Sequence, residues 1–295
     1  MRLANQRTMS IESNSNGNDQ TSAEGASLEH WARARHLIVD LDGTLIREDE
    51  PLEGAADLLR HFRDRYVIVS NNSTHTARGV ARRLGRMGLK VAPEHIVLAG
   101  EQTVAMMRRE HPQARILLAA SPALQRHAIA SGCELVKADA EFIVLALDPH
   151  FNRARLALMA NQLRRGARLV VTNGDDNHPG PGGAVMPETG ALMAALVSAS
   201  GVQPWRVVGK PGPMLLQEGL RRLGAKPADT VVIGDNPATD ALGAAQLGMD
   251  CVLVGPSAQA DVPTLTALLR RRGPSQYRLS DSTSKVFLSV FTERS

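Results

Sequence analysis

The chain has 295 residues, 43% of them hydrophobic, enough to bury a large core and to form two domains rather than one. Its formal charge is +4, but the basic residues are spread along helical stretches such as ARGVARRLGRMG and NQLRRGAR. Aromatic residues make up only 3%, which excludes the interleaved aromatic and basic surface that holds nucleic acid.

No apolar stretch approaches the ~20 residues that cross a bilayer, and the N-terminus lacks the charged-then-apolar order of a signal peptide. The expectation is a soluble, cytoplasmic protein with no membrane partner. Cys133 and Cys251 lie far apart in apolar surroundings and read as buried thiols in a reducing compartment, not as a metal or redox pair.

In chain order, residues 1–30 are rich in Ser, Asn and Gly without a hydrophobic period, the composition of a disordered tail. Short apolar runs then alternate with helical stretches: HLIVD, YVIVS, HIVLA, RILLA, FIVLAL, RLVVT, RVVG, TVVIG and CVLV. That rhythm predicts an α/β fold of parallel sheets covered by helices, and continuous apolar runs predict strands buried on both faces. Ligands of such sheets bind beyond the carboxyl ends of the strands, so the polar residues after each run matter most. Beyond LLRRRGP, residues 273–295 form a polar tail in which SKVFLSVF keeps enough apolar character to dock.

The run HLIVD ends on Asp40 and is followed by Asp42, a pair that repels unless a cation neutralises it or one member holds a proton; Gly43 allows a sharp turn beside a ligand. YVIVS opens onto Ser70, Asn71 and Asn72, whose hydroxyl, amide and main-chain donors suit phosphate oxygens. RVVG opens onto Lys210, a point charge, and TVVIG onto Asp235 and Asp240, further carboxylates for a metal. Singly each has an ordinary reading as an acidic turn, a helix N-cap, a proline-rich turn or a loop before a capped helix. Four complementary sets in this order, all at strand ends, point instead to one site.

The motifs DLDGT, SNN, GKP and GDNPATD resemble, in order, the four motifs of the haloacid dehalogenase (HAD) superfamily of phosphotransferases. The stretch from EFIVLALDPHF through RLVVTNGD, with MPETGALMAALVSASG and VVGKPGP, resembles the C2-type α/β cap of its class IIA branch. That branch holds NagD-like, 4-nitrophenylphosphatase-like and phosphoglycolate or pyridoxal phosphate phosphatases. The similarity covers roughly residues 35–257.

It implies a Rossmann-like doubly wound parallel-sheet core over 31–99 and 206–272, with an inserted α/β cap over 100–205. It further implies that Asp40 is a nucleophile forming an aspartyl-phosphate, with Asp42 as general acid and base. Mg²⁺ would be held by Asp40, the main-chain carbonyl of Asp42 and Asp235, with Asp240 behind them. Thr44, Ser70, Asn71, Asn72 and Lys210 would hold the phosphoryl group.

In the cap loop TNGDDNHPGPGG, Gly174 replaces the proline of the branch's Thr-Asn-Pro-Asp pattern, and Asp176 and His178 are additional. Asn173, Asp175 and Asp176 are the expected contacts to the leaving group. Asp148 is read as a brace of the cap sheet. No second His or Cys at ligand spacing makes His178 a metal ligand.

The expected activity is Mg²⁺-dependent hydrolysis of a small phosphorylated metabolite, and the resemblance admits a homodimer. The alternatives are a phosphotransferase or mutase on the same scaffold and a non-catalytic binder of phosphorylated metabolites. A dehalogenase, which needs neither the metal cage nor Asp42, is disfavoured.

Overall fold

The computed structural model describes residues 27–272. The C-terminal segment 273–295 and residues 1–26 lie outside the described residues. Residues 27–30, expected in the tail, instead open helix α1 (27–33). The reason is tertiary: His30 bonds Asp250 and the Ala228 carbonyl, and Trp31 is buried with its Nε1 donating to Leu268 O at 3.0 Å.

The chain continues through β1 (His36–Val39), a small hairpin of β2 (Ile46–Arg47) and β3 (Glu50–Pro51), α2 (Ala55–Phe62), β4 (Tyr66–Ser70), α3 (Ala77–Arg86), β5 (Ile96–Leu98) and α4 (Ala99–Glu110). A second unit follows: β6 (Arg115–Ala119), α5 (Pro122–Ala130), β7 (Glu134–Leu135), β8 (Phe142–Leu145), α6 (Arg153–Arg164) and β9 (Arg168–Val171). A hairpin of β10 (Asn177–Pro179) and β11 (Val185–Pro187), then α7 (Thr189–Ser200) and β12 (Arg206–Val207), complete it. The chain returns through α8 (Met214–Leu223), β13 (Thr230–Gly234), a π-turn over Pro237–Ala241, α9 (Leu242–Ala245), β14 (Asp250–Leu253) and α10 (Leu265–Arg270). Helix starts follow side-chain capping: Thr76, Ser121, Asn152 and Thr264 each accept a main-chain N–H from the first turn of α3, α5, α6 and α10.

All nine apolar runs are strands, divided between two parallel five-stranded sheets. The core sheet has the order β14-β13-β1-β4-β5 and the cap sheet β12-β9-β8-β6-β7. Leaving β1, the chain winds first through β4 to β5 and later through β13 to β14, so the strand order reverses between β1 and β13. This is the doubly wound arrangement, and its crevice opens beyond that pair.

One difference concerns Arg206–Val207, expected in the core. They form β12 and pair with β9 in the cap sheet, because Val207 lies in register with Val171 and Val208 N–H continues the ladder to Val171 O at 3.0 Å.

One face of the core sheet packs Leu37, Val39 and Ile68 against Trp31, Phe62, Leu84 and Leu268 from α1, α2, α3 and α10. The other face, with Ile38, Val67 and Val232, joins Met106, Met107, Leu215 and Leu216 of α4 and α8 in a cluster that runs on to Ile116, Phe142 and Val170 of the cap sheet. The two sheets therefore share apolar packing. Burial of this kind contributes about 25 cal/mol per Å² and holds the lobes together without a separate interface.

Candidate active site

Asp40 directly follows β1 and Asp235 directly follows β13, so the strand-order reversal places two carboxylates side by side at the crevice. Asp40 N–H continues the ladder to Ile233 O at 2.8 Å, and its side chain is buried. Gly43 has φ +87°, and a Cβ there would fall 2.0 Å from Asp235 Oδ2. Only glycine lets the loop after Asp40 close against Asp235. Asp240, from the π-turn, tucks beneath Gly234 and accepts from Asn236 N–H at 3.2 Å. One carboxylate oxygen from each of Asp40, Asp235 and Asp240 lies within 4.8 Å of the others.

Lys210 Nζ donates to Asp40 Oδ1 and to Asp240 Oδ1, both at 2.6 Å, with its side chain only 3% exposed. Burial alone would lower the lysine pKa, but Asp240 and Asp40 outweigh it and hold the ammonium charged. Three carboxyls face this one ammonium, more acid than a single cation can neutralise. Burial accordingly pushes Asp40 well above the usual carboxylate range, with Lys210 opposing and Asp240 and Asp235 reinforcing. Asp235 is pushed up to about 6 by burial and then by the Asp240 charge.

Asp42 stands at the mouth of the crevice. Its side chain is half open to solvent, yet the walls desolvate the carboxyl enough to raise its pKa against the pull of Arg83, Lys210, His178 and His75. Arg83 Nη1 lies 4.0 Å from Asp42 Oδ1, and its Nε is held by Asp49 at 2.8 Å.

An all-oxygen cluster of three carboxyls served by one ammonium has the chemistry of a site for a hard divalent cation, and these residues fit Mg²⁺. The Thr44 hydroxyl is buried with no hydrogen-bond partner among the described residues, the state of a polar group that a ligand completes.

Of the other expected residues, Ser70 ends β4 at the same edge of the sheet, buried, and its Oγ accepts Asn72 N–H at 3.1 Å. Asn72 Oδ1 accepts the main-chain N–H groups of Thr74 and His75, so its side chain shapes the loop. Asn71 Oδ1 accepts Lys210 N–H at 2.7 Å, and its Nδ2 donates to Lys210 O and Asp175 Oδ2.

Asn173 and Asp175, the expected contacts to the leaving group, face each other. Asn173 is buried, its Oδ1 held by the Thr172 hydroxyl and its Nδ2 donating to Asp175 Oδ2 at 2.8 Å. Asp176 is exposed, and its carbonyl accepts Glu188 N–H. His178 pairs with Glu188 Oε1 at 2.7 Å. Asp148, buried, is ion-paired with Arg155 and accepts His150 N–H, the bracing role expected of it.

Arg83, His75 and Glu188 were not singled out in the sequence. Arg83 sits in a basic stretch whose pattern matches any solvated helix face. Nothing local distinguishes it from its neighbours Arg82 and Arg86.

The family profile described as Haloacid dehalogenase-like hydrolase matches residues 37–134, and a second, described as HAD-hydrolase-like, matches residues 207–267. The dihydroxyacetone phosphatase of Corynebacterium glutamicum is 30% identical over 220 residues, covering 74% of this chain and 79% of that protein. The 4-nitrophenylphosphatase of Thermotoga maritima superposes with a TM-score of 0.76 at 26% identity, covering 82% of this chain and 98% of that one. The glycerol phosphate phosphatase of Mycobacterium tuberculosis, solved in complex with magnesium, superposes with a TM-score of 0.73 at 29% identity, covering 81% of this chain and 77% of that one.

Fold, crevice and relatives define the class as capped α/β phosphatases. Within it, the chain belongs to the haloacid dehalogenase-like hydrolases, in their NagD-like class IIA branch.

Proposed function

We propose that this phosphatase is a Mg²⁺-dependent phosphomonoesterase that works through an aspartyl-phosphate on Asp40. The observation that carries the reading is the buried contact of Lys210 with Asp40 and Asp240 beside an uncompensated Asp235. Asp40, Asp235 and the Asp42 carbonyl, with Asp240 behind them, would hold Mg²⁺, which would supply the positive charge that screens the carboxylate from an anionic ester.

Lys210 donates to Oδ1 of Asp40, and one oxygen of that carboxylate is the nucleophile. That oxygen forms a bond to phosphorus as the ester P–O bond breaks. Asp42, whose carboxyl is raised by burial above its ordinary range, gives its proton to the departing alkoxide. It then takes a proton from water, whose oxygen attacks the aspartyl-phosphate, releasing inorganic phosphate and restoring Asp40. Thr44, Ser70 and the main chain at Asn71 and Asn72 hold the phosphoryl oxygens, and Lys210 balances their charge.

The core lobe, 31–99 and 208–272, carries this chemistry, and the cap, 100–205 with β12, closes over it and excludes competing water. The named activities of the relatives, a dihydroxyacetone phosphatase and a glycerol phosphate phosphatase, support a small phosphorylated metabolite as substrate. Both cysteines are free, and no helix among the described residues is long and apolar enough to cross a membrane, in keeping with a cytoplasmic enzyme.

The test is hydrolysis of 4-nitrophenyl phosphate with and without Mg²⁺ by the wild type and Asp40→Asn. Wild-type turnover should require the ion, and the variant should fold with unchanged secondary structure and have no measurable turnover. A substantially active Asp40→Asn would overturn the assignment.

A further inference from the structure

Lys210 serves the core but is delivered by the cap. Beyond Val207 the edge ladder of the cap sheet runs on through Val208 N–H to Val171 O at 3.0 Å and Gly209 N–H to Thr172 O at 2.8 Å. The next rung is taken by a side chain of the core. Asn71 Oδ1 accepts Lys210 N–H at 2.7 Å and Asn71 Nδ2 donates to Lys210 O at 3.1 Å, so one carboxamide grips both main-chain polar atoms of the lysine.

Nδ2 also donates to Asp175 Oδ2 at 3.0 Å, and that oxygen receives Asn173 Nδ2 at 2.8 Å. The packing leaves no slack. A Cβ on Gly209 would sit 2.6 Å from Asn71 Oδ1 and 2.9 Å from Asn173 Cβ. The loops after β4, β9 and β12 thus meet on a single amide.

From this geometry we infer that Asn71 and Asp175 are positioning residues for Lys210, linking the seating of the cap loop to the placement of the lysine. A lysine side chain has four rotatable bonds and loses about 2 kcal/mol of rotamer entropy when held in one geometry, so Nζ reaches two carboxylates at once only from a fixed main chain. Asn71 supplies that fixed point. Asp175 orients the Asn71 amide: with its acceptor in place the two N–H groups of Nδ2 have separate destinations, and Oδ1 must face Lys210 N–H. Asp175 Oδ2 is therefore committed within the protein and does not read the leaving group. The inference rests on the role proposed for Lys210.

The experiment compares Asp175→Ala and Asp175→Asn with the wild type on 4-nitrophenyl phosphate and glycerol phosphate at saturating Mg²⁺, with thermal melts of each protein. Asp175→Ala should lose about ten- to a hundredfold in kcat on both substrates while KM moves by less than about threefold, the signature of a misplaced catalytic group. Asp175→Asn should recover most of that loss, because its amide oxygen can accept the same two N–H groups. A loss confined to glycerol phosphate and expressed in KM would overturn the inference in favour of a leaving-group contact. An unchanged kcat in Asp175→Ala, or no recovery in a folded Asp175→Asn, would also overturn it. An inactive wild type, or an active Asp40→Asn, would instead strike the catalytic reading before Asp175 is compared.

Discussion

The two sheets of this molecule are alike in strand number and direction but opposite in how their carboxyl edges handle charge. At the cap edge, buried Asp148 has the Arg155 guanidinium and His150 N–H, and Asn173 is held by Thr172 and Asp175. At the core edge, Asp40, Asp235 and Asp240 share one ammonium. Identical architecture thus gives a satisfied edge and an overcharged one, and chemistry resides where charge is stranded. A buried acid with a partner stabilises a fold, whereas buried acids without enough partners stabilise only a bound cation or a transition state.

The largest effect that would break this contrast is at Asp42. Asp42→Asn should lower kcat on an alkyl phosphate and on 4-nitrophenyl phosphate alike by about 10²–10⁴, because both esters pass through the same aspartyl-phosphate whose hydrolysis needs the base, while single-turnover release of the leaving group should suffer much less for 4-nitrophenolate, which departs without a proton. Steady-state and burst-phase rates on both esters measure it, and unchanged rates on both would remove Asp42 from proton transfer.

Next comes a pair of melts in a chelator. Arg155→Ala leaves a buried carboxylate short of its guanidinium and should destabilise the cap by about 1–3 kcal/mol while the folded enzyme keeps its kcat. Asp235→Asn should do the reverse, raising the melting temperature of the chelated protein by about 2–4 °C for each kcal/mol of repulsion relieved, while Mg²⁺-dependent turnover disappears. Destabilisation by Asp235→Asn would show that the core edge is not overcharged.

The smallest effect lies on α8, where Glu218 takes a bidentate pair of hydrogen bonds from Arg221 and one from Arg222. The Arg221 bonds, ahead of Arg222 and against burial, hold the Glu218 carboxyl down at about 2. Its folded value is depressed, so its contribution is fully present above the ordinary glutamate range near ~4.5 and is lost as pH falls through about 2. Acid melts of wild type and Glu218→Gln should run apart above that window and converge below it.

Much of this was legible in the sequence because it is local. Each of the nine strands is a continuous apolar run, and Asp40, Ser70, Asp235 and Lys210 announce themselves as polar residues at run ends. The two-residue strand β7 and the hairpins β2-β3 and β10-β11 were not legible, being too short for any period to show. Nor was the membership of Arg206–Val207, because pairing with β9 depends on a partner more than thirty residues away and not on their own composition. The same holds for Asn71 and Asp175. Their residue types fit phosphate, leaving group or turn equally well, and only folding shows that they face each other.

The core sheet is assembled from the two ends of the described chain, with the cap between them. Asp40 and Asp235 stand on neighbouring strands but 195 positions apart. At ~5–20 residues per second, a ribosome makes Asp40 about 10–40 s before its acidic neighbour. In that interval the cap strands are completed in one contiguous stretch, while β1 pairs with β4 on one side and presents an unpaired apolar edge on the other. A nascent chain that stops before Thr230 therefore carries Asp40 alone of the acidic cluster and one strand edge whose partner has yet to be made.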